Sequence, residues 1–295
     1  MTIATVSIVK NEAETLPRML ASVSDLVDMS IVVDTGSTDD TVEIARSLGA
    51  DVYEREWVDF GHNLTEAFSL ATHKANWLLR MDADMLLSWH PNFLTWLDEA
   101  SSDAYTVEIV ENGGKWRLPL LMTGAKRWTY VGATHEYLDT TGREVSDLVG
   151  LTVAHAADGS NRSNKFKRDI KMLAPAVERG DERAIFYTAE SYRNAGDLGK
   201  AIEMYDRRAS MPETWEEEAW YAAYQAGCCA LKLDEPDAVD RLLAAWRRRP
   251  TRAEPLRVIE RWCATHAPTA TPDDNLFIDH DLYGRNSTSE TGARG

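Results

Sequence analysis

The feature that most constrains this chain is an alternation. Four short apolar runs are separated by three segments of helical periodicity within the first eighty or so residues. Ile3–Val9 is β-branched and apolar on both faces, as in a buried parallel strand. Across Thr15–Val27, Leu16, Met19, Leu20 and Val23 recur at helical spacing. Ser30–Asp34 reads as a second buried strand, and Gly36 permits a tight turn after it. Ser37 or Thr38 is placed to cap a helix over Asp39–Leu48, which Gly49 closes. Asp51–Glu54 begins a third strand, Asn63–His73 forms a third helix, and a fourth strand begins at Trp77. The pattern implies an α/β domain with a doubly wound parallel sheet, in which ligands gather at the carboxyl ends of the strands. Asn11, Asp34, Asp82 and Asp84 all fall at such ends.

The fourth run, Trp77 to Leu87, is interrupted by Asp82 and Asp84 with only Ala83 between them. Residues two apart on extended backbone point the same way, so both carboxylates can address one target. Such a pair repels unless a cation lies between its members, and hard oxygen ligands suit Mg²⁺ or Mn²⁺. A polar turn after a core strand uses the same residues.

From Asp103 to Ala156 the helical rhythm gives way to short strand-like pieces, Ala104–Val110, Lys115–Leu121, Arg127–Val131 and Leu148–Val153. They read as an antiparallel extension covering one side of the site. Asp158 to Asn164 reads as a loop, and helices follow from Lys165. In the last third Ala189, Tyr192, Ala201 and Tyr205 recur as Ala226, Cys229, Ala238 and Leu242 at a constant offset of 37 residues. Small residues at helix contacts and the Gly196-Asp197 turn suit tetratricopeptide-like hairpins. The expected organisation is an α/β domain over residues 1–160, a tetratricopeptide-like helical region over 161–267, and an extension over 268–295 disordered at its end.

The chain carries a formal charge of −16, which disfavours non-specific binding to nucleic acid or to an anionic membrane, while leaving room for a local basic pocket. Three cysteines without a CxxC pair, and no apolar run long enough to span a bilayer, point to a cytoplasmic protein.

Taken together, Ser7 to Glu12, Ile31 to Val42, Trp77 to Asp84, His135-Glu136, His155 with Lys165, Arg168 and Asp169, and Phe186 to Asp197 form an ordered set. In that order and spacing it resembles the family 2 glycosyltransferases of the GT-A fold. The likeness is to the subgroup whose transferase domain is followed by tetratricopeptide-like helices, and it extends over roughly residues 3–250. The resemblance implies a GT-A mixed-sheet domain and an inverting, hexosyltransferase-like enzyme. Its donor would be a nucleotide sugar, its cofactor a divalent metal, Mn²⁺ or Mg²⁺, and its acceptor a protein, peptide or glycan.

Residue by residue, the resemblance assigns Asp84 to the metal, with Asp82 on the metal through water or on the ribose. His155 follows as a third metal or diphosphate ligand through neutral imidazole, although a lone His at such a place also serves structure. Asp34 matches the nucleobase position, and its carboxylate can accept the imide N–H of uracil, which favours a UDP-linked donor. Glu12 and Asn63 belong to the same nucleotide pocket. Lys165 and Arg168, one helical turn apart, are placed to grip the diphosphate or to form a solvated basic face. An inverting transfer needs a base for the acceptor proton. Glu136 matches that position, with His135 as the alternative or as a positioning group.

Two positions depart from the pattern. Leu64 stands where the family usually has an arginine that reaches the diphosphate, and Met85 replaces a frequently acidic residue. His62, Arg80 or the Lys165/Arg168 pair would have to compensate. A chain that had lost catalysis and kept only sugar-nucleotide binding or a helical scaffold is the competing expectation.

Overall fold

The computed structural model describes residues 1–159, 165–212 and 215–266. The expected loop from Asp158 to Asn164 lies mostly outside these residues, and the expected disordered extension lies wholly outside them. The chain divides into two compact units, Met1–Ala195 and Gly196–Gly295. As a division by fold type, 1–160 for the α/β part and 161–267 for the helical part remains our proposal.

The first unit begins with β1 (Ile3–Val9), α1 (Leu16–Val23), β2 (Met29–Asp34), α2 (Thr41–Ser47), β3 (Asp51–Glu54), α3 (Phe60–Ala71) and β4 (Trp77–Arg80). This is the alternation that the sequence implies, with shorter helices. Pro17 starts α1 without a side-chain cap, and α2 is also uncapped. Ser37 and Thr38 do not cap α2. The Ser37 hydroxyl bonds Asp34, and the Thr38 amide donates to Asn11 Oδ1 at 2.7 Å. The two loops that follow β1 and β2 are thereby braced to each other rather than to the helix. Asp59 caps α3 through the His62 amide at 2.7 Å, so that helix starts three residues earlier than its periodicity suggests.

Next come β5 (Met85–Trp89), α4 (Phe93–Asp98), β6 (Ala104–Glu111), β7 (Gly114–Thr123), β8 (Tyr130–Val131), β9 (Tyr137–Leu138) and β10 (Val145–His155). All but β8 and β9, which pair as a small ribbon, join one eight-stranded sheet of order β3-β2-β1-β4-β7-β6-β10-β5. The expected antiparallel extension is thus part of the main sheet. It is also only partly antiparallel, because β10 runs parallel to β6. The strand expected over Arg127–Val131 shrinks to two residues, and the run that begins at Trp77 is cut in two by the aspartates. Its second half, β5, crosses to the far edge and pairs antiparallel with β10.

Burial explains why the first strands are apolar on both faces. Ile3, Val9 and Val32 pack with Leu16, Met19, Leu20 and Val23 of α1, while Ala4, Val6, Ile31 and Val33 pack with Leu64, Ala67, Phe68 and Ala71 of α3. Each large side chain so buried contributes about 1.5–3 kcal/mol. Helices therefore cover both sides of the sheet, as its sequence pattern requires.

The unit closes with α5 (Lys165–Glu178) and α6 (Glu182–Ala195) packed as a hairpin. The second unit contains α7 (Leu198–Ala209), α8 (Glu216–Lys232), α9 (Ala238–Arg248) and α10 (Glu254–His266), each packed on the next. Its Arg208 is fully buried and bonds Glu218 at 2.7 Å, tying α7 to the start of α8. Gly227 sits where a Cβ would meet Leu242 at 2.9 Å, a close helix contact that the small-residue repeat foreshadows. No helix among the described residues is long and apolar enough to cross a membrane.

Candidate active site

The sheet topology brings the chemistry to one edge. β1, β2 and β4 are parallel, and β4 connects through antiparallel β7 to β6 and then to β10, so β6 and β10 run in the same sense as β4. Their carboxyl ends deliver Lys10 and Glu12, Thr35, Asp82 and Asp84, Glu111, and His155 to a cavity of about 570 Å³. The segment before β9 supplies His135 and Glu136, and α5 supplies Lys165 and Arg168.

Asp84 and His155 form the acidic side of the cavity. The Asp84 Oδ2 lies 3.3 Å from His155 Nε2 and also accepts the Gly159 amide at 3.3 Å, while His155 Nδ1 faces Glu111 Oε2 at 3.5 Å. Burial opposes ionisation of Asp84, but the hydrogen bond from His155 and its charge outweigh it and hold the carboxyl below its usual range. The same hydrogen bond raises His155, against the effect of its burial.

Among the described residues no three His, Cys, Asp or Glu side chains gather closely enough to hold a metal by themselves. The residues nevertheless fit an open site. A carboxylate oxygen and an imidazole nitrogen point at one another, and Glu111 is positioned to orient the ring from its far nitrogen. A Cβ on Gly159 would stand 3.2 Å from Asp84 Oδ2 and 3.5 Å from Glu12 Oε1, so the absent side chain leaves the carboxylates room. Substrate phosphates supply the remaining ligands in sites of this kind.

Asp82, expected on the metal through water or on the ribose, faces a cation. Arg80 reaches it at 3.3 Å and bonds Glu136 Oε1 at 2.6 Å, with its guanidinium 5.2 Å from the Tyr130 ring centre. Burial alone would weaken the charge on Arg80, yet the facing carboxylates of Asp82 and Glu136 keep it firmly protonated. Arg80 therefore joins the end of β4 to the segment that carries the expected base.

His135 has a left-handed backbone, φ 53°, and its ring stacks on Tyr187 at 4.0 Å between centroids and 6° between planes. Burial, with Lys165 and Arg183 nearby, pushes its pKa down to about 4. In this environment the ring is neutral near pH 7 and only weakly basic.

Glu12 lines the cavity and accepts the Thr15 hydroxyl at 2.6 Å. Asp34 and Asn63 are not among the lining residues. Asp34 is 3% exposed and closes its own turn, accepting the amides of Gly36 at 2.9 Å and Ser37 at 3.1 Å. Asn63, 0% exposed, donates to the Glu56 carbonyl at 2.9 Å and accepts the Val58 amide at 3.0 Å. It holds the loop that presents Trp57, another wall of the cavity. Each of these side chains satisfies its own backbone, as amides and carboxylates at turns commonly do. Leu64 is fully buried in the core beneath α3, so this position offers nothing to a diphosphate. Lys165, Arg168 and Arg80 are cations that line the cavity; His62 is not among its lining residues. Sequence reasoning missed Lys10, which directly follows β1, and Glu111, which the strand-end rule finds once β6 is placed in the main sheet.

The model of the glycosyl transferase family 2 domain matches residues 5–154, half of the chain. The chain belongs to glycosyl transferase family 2. Over 103 residues, 34% of this chain, it is 43% identical to a TPR repeat-containing protein of Synechococcus elongatus. Over 81 residues, 28% of this chain, it is 46% identical to an uncharacterized glycosyltransferase of Rickettsia felis. The matches span 25% and 28% of those relatives' lengths. Among solved structures, glucosyl-3-phosphoglycerate synthase from Mycobacterium tuberculosis, in complex with Mn²⁺, UDP and glucosyl-3-phosphoglycerate, is 30% identical. That match covers 38% of this chain and 45% of the other at a TM-score of 0.31, too low to carry a structural argument. Within the family 2 domain lie the ends of β1, β2, β4 and β6, together with Glu136; His155 follows its last matched residue directly.

Proposed function

We propose that this family 2 glycosyltransferase moves a hexosyl group from a UDP-linked donor to a protein, peptide or glycan hydroxyl, with inversion at the anomeric carbon. The observation that carries the reading is the arrival at one cavity of Asp84 with His155 and of Glu136 with Arg80, from separate elements of the chain.

Asp84 and His155, with Asp82 through water, are the residues that would hold Mn²⁺ or Mg²⁺. The ion supplies neutralisation of the charge that develops on the departing diphosphate. Lys165 and Arg168 meet the diphosphate from the α5 side, in place of the arginine that Leu64 replaces. Glu136 takes the proton of the acceptor hydroxyl as the new glycosidic bond forms. Arg80 bonds this carboxylate at 2.6 Å and so ties it to the end of β4. Asp34 and Asn63 serve the donor indirectly, by shaping the loops that carry Thr35 and Trp57.

The test is a panel of UDP-, GDP- and dTDP-sugars incubated with the protein, with nucleotide release as the readout. Release from a UDP-sugar above all others is expected. Equal indifference to every donor would refute the reading.

A further inference from the structure

Asp169 has no exposed surface, and only one of its oxygens is bonded. Its Oδ1 accepts from Arg168 at 3.4 Å, while Oδ2 has no hydrogen-bond partner among the described residues. A buried carboxylate oxygen without a donor is costly, so its presence in a packed helix asks for a physical reason. The group that faces it is His135, whose Nε2 lies 4.0 Å from Oδ2.

His135 is held from three sides. Its ring is stacked on Tyr187, its carbonyl accepts from Arg183 at 3.0 Å, and its backbone is fixed in the left-handed region. His135 is among the residues that line the cavity, whereas Asp169 is not. Burial raises the pKa of Asp169 and lowers that of His135, so the imidazole is neutral and carries a single N–H. Which nitrogen carries it decides what the ring offers the cavity.

We propose that Asp169 is a positioning residue that fixes His135 in its Nε2–H tautomer, so that Nδ1 presents a lone pair to a hydroxyl of the acceptor. This rests on the glycosyl-transfer reading given above. The 4.0 Å separation is too long for a hydrogen bond; sliding the stacked ring by about 1 Å brings Nε2 within reach of Oδ2. Catalytic contacts tighten by such amounts when substrates enter. The consequence is chemical selectivity. A hydroxyl donates to Nδ1 and is accepted, whereas a carboxylate or phosphate in the same place faces a lone pair and is rejected.

The test reads the tautomer directly. Protein labelled with ¹⁵N-histidine is examined by NMR near neutral pH, with His135→Gln assigning the signal among the seven histidines. The Nε2–H form is expected in the wild type, a mixture in Asp169→Leu, and a restored preference in Asp169→Asn, whose amide oxygen still accepts. An Nδ1–H wild type overturns the proposal, even if Asp169→Leu fails to fold, and so does an unchanged signal in that variant. A second readout is hydrolysis of UDP-glucose with Mn²⁺, where water is the acceptor. Asp169→Leu should lower kcat about ten- to a hundredfold with KM for UDP-glucose unchanged, and Asp169→Asn should recover part of it. A fall in kcat together with a rise in KM would mean a merely structural role and also overturns the proposal. If the wild type leaves UDP-glucose intact while the tautomer results hold, the positioning role stands and the UDP-glucose donor reading fails.

Discussion

Arg80 leaves the sheet at the last position of β4, with one nitrogen 2.6 Å from Glu136 and 3.3 Å from Asp82. That single side chain couples Asp82 to Glu136 and places a cation in the cavity of a chain that lacks arginine at position 64. Replacing Glu136 by Gln preserves the shape and most of the hydrogen bonding while removing the proton acceptor. Transfer should fall about 10²–10⁴-fold, with UDP affinity in the presence of Mn²⁺ unchanged within a factor of about two. Transfer at the wild-type rate would remove Glu136 as base. His135 yields a prediction about stability. The unfolded chain protonates this ring near pH 6.5 and the folded one only near 4, so between these values the unfolded state binds more protons. Folding free energy is therefore retained above pH 6.5 and lost as pH falls toward 4, by about 3 kcal/mol from this group. His135→Asn, chosen because Asn tolerates φ 53°, should flatten that part of the pH dependence in urea unfolding. An equally steep decline in the variant would show that other groups cause it.

At the scale of elements, α3 sets the height of the loop that carries His135 and Glu136. The Phe60 amide donates to the Ala133 carbonyl and the Gly61 amide to that of Gly132, both at 3.1 Å. A Cβ on Gly61 would stand 2.6 Å from the Gly132 carbonyl oxygen. Gly61→Ala should therefore cost about 1–3 kcal/mol through overpacking, and it should lower turnover by more than the stability loss explains. A stable, fully active variant would show that this approach is not needed. This contact also marks the limit of what the sequence discloses. Strand–helix alternation through β4, and the rule that strand ends meet the ligand, made Glu12, Asp82 and Asp84 legible, because periodicity is a local signal. The path of β5 to the far edge and the parallel pairing of β10 with β6 were not legible, because strand partnership is decided by long-range packing. Asp34 and Asn63 illustrate a third limit. A polar side chain at a loop looks the same in sequence whether it serves a ligand or its own backbone. Glu111 becomes visible only once the elements are placed, and so does the approach of Asp169 to His135.

For the molecule as a whole, the central claim is a metal-dependent transfer built on an α/β domain and accompanied by a helical unit. The net charge of −16 makes local structure decisive, since an anionic donor must find the few cations that line the cavity, Lys10, Arg80, Lys165 and Arg168. The pairing of Asp84 with His155 is the feature on which the metal assignment depends, and Asp84→Ala removes it while touching no core residue. The decisive measurement is UDP release from the donor that the wild type turns over, followed with Mn²⁺ and with EDTA, in the wild type and in Asp84→Ala. The account predicts release that requires Mn²⁺ and falls to background in a folded Asp84→Ala protein. Release that persists in EDTA, or an Asp84→Ala variant as active as the wild type, would contradict it.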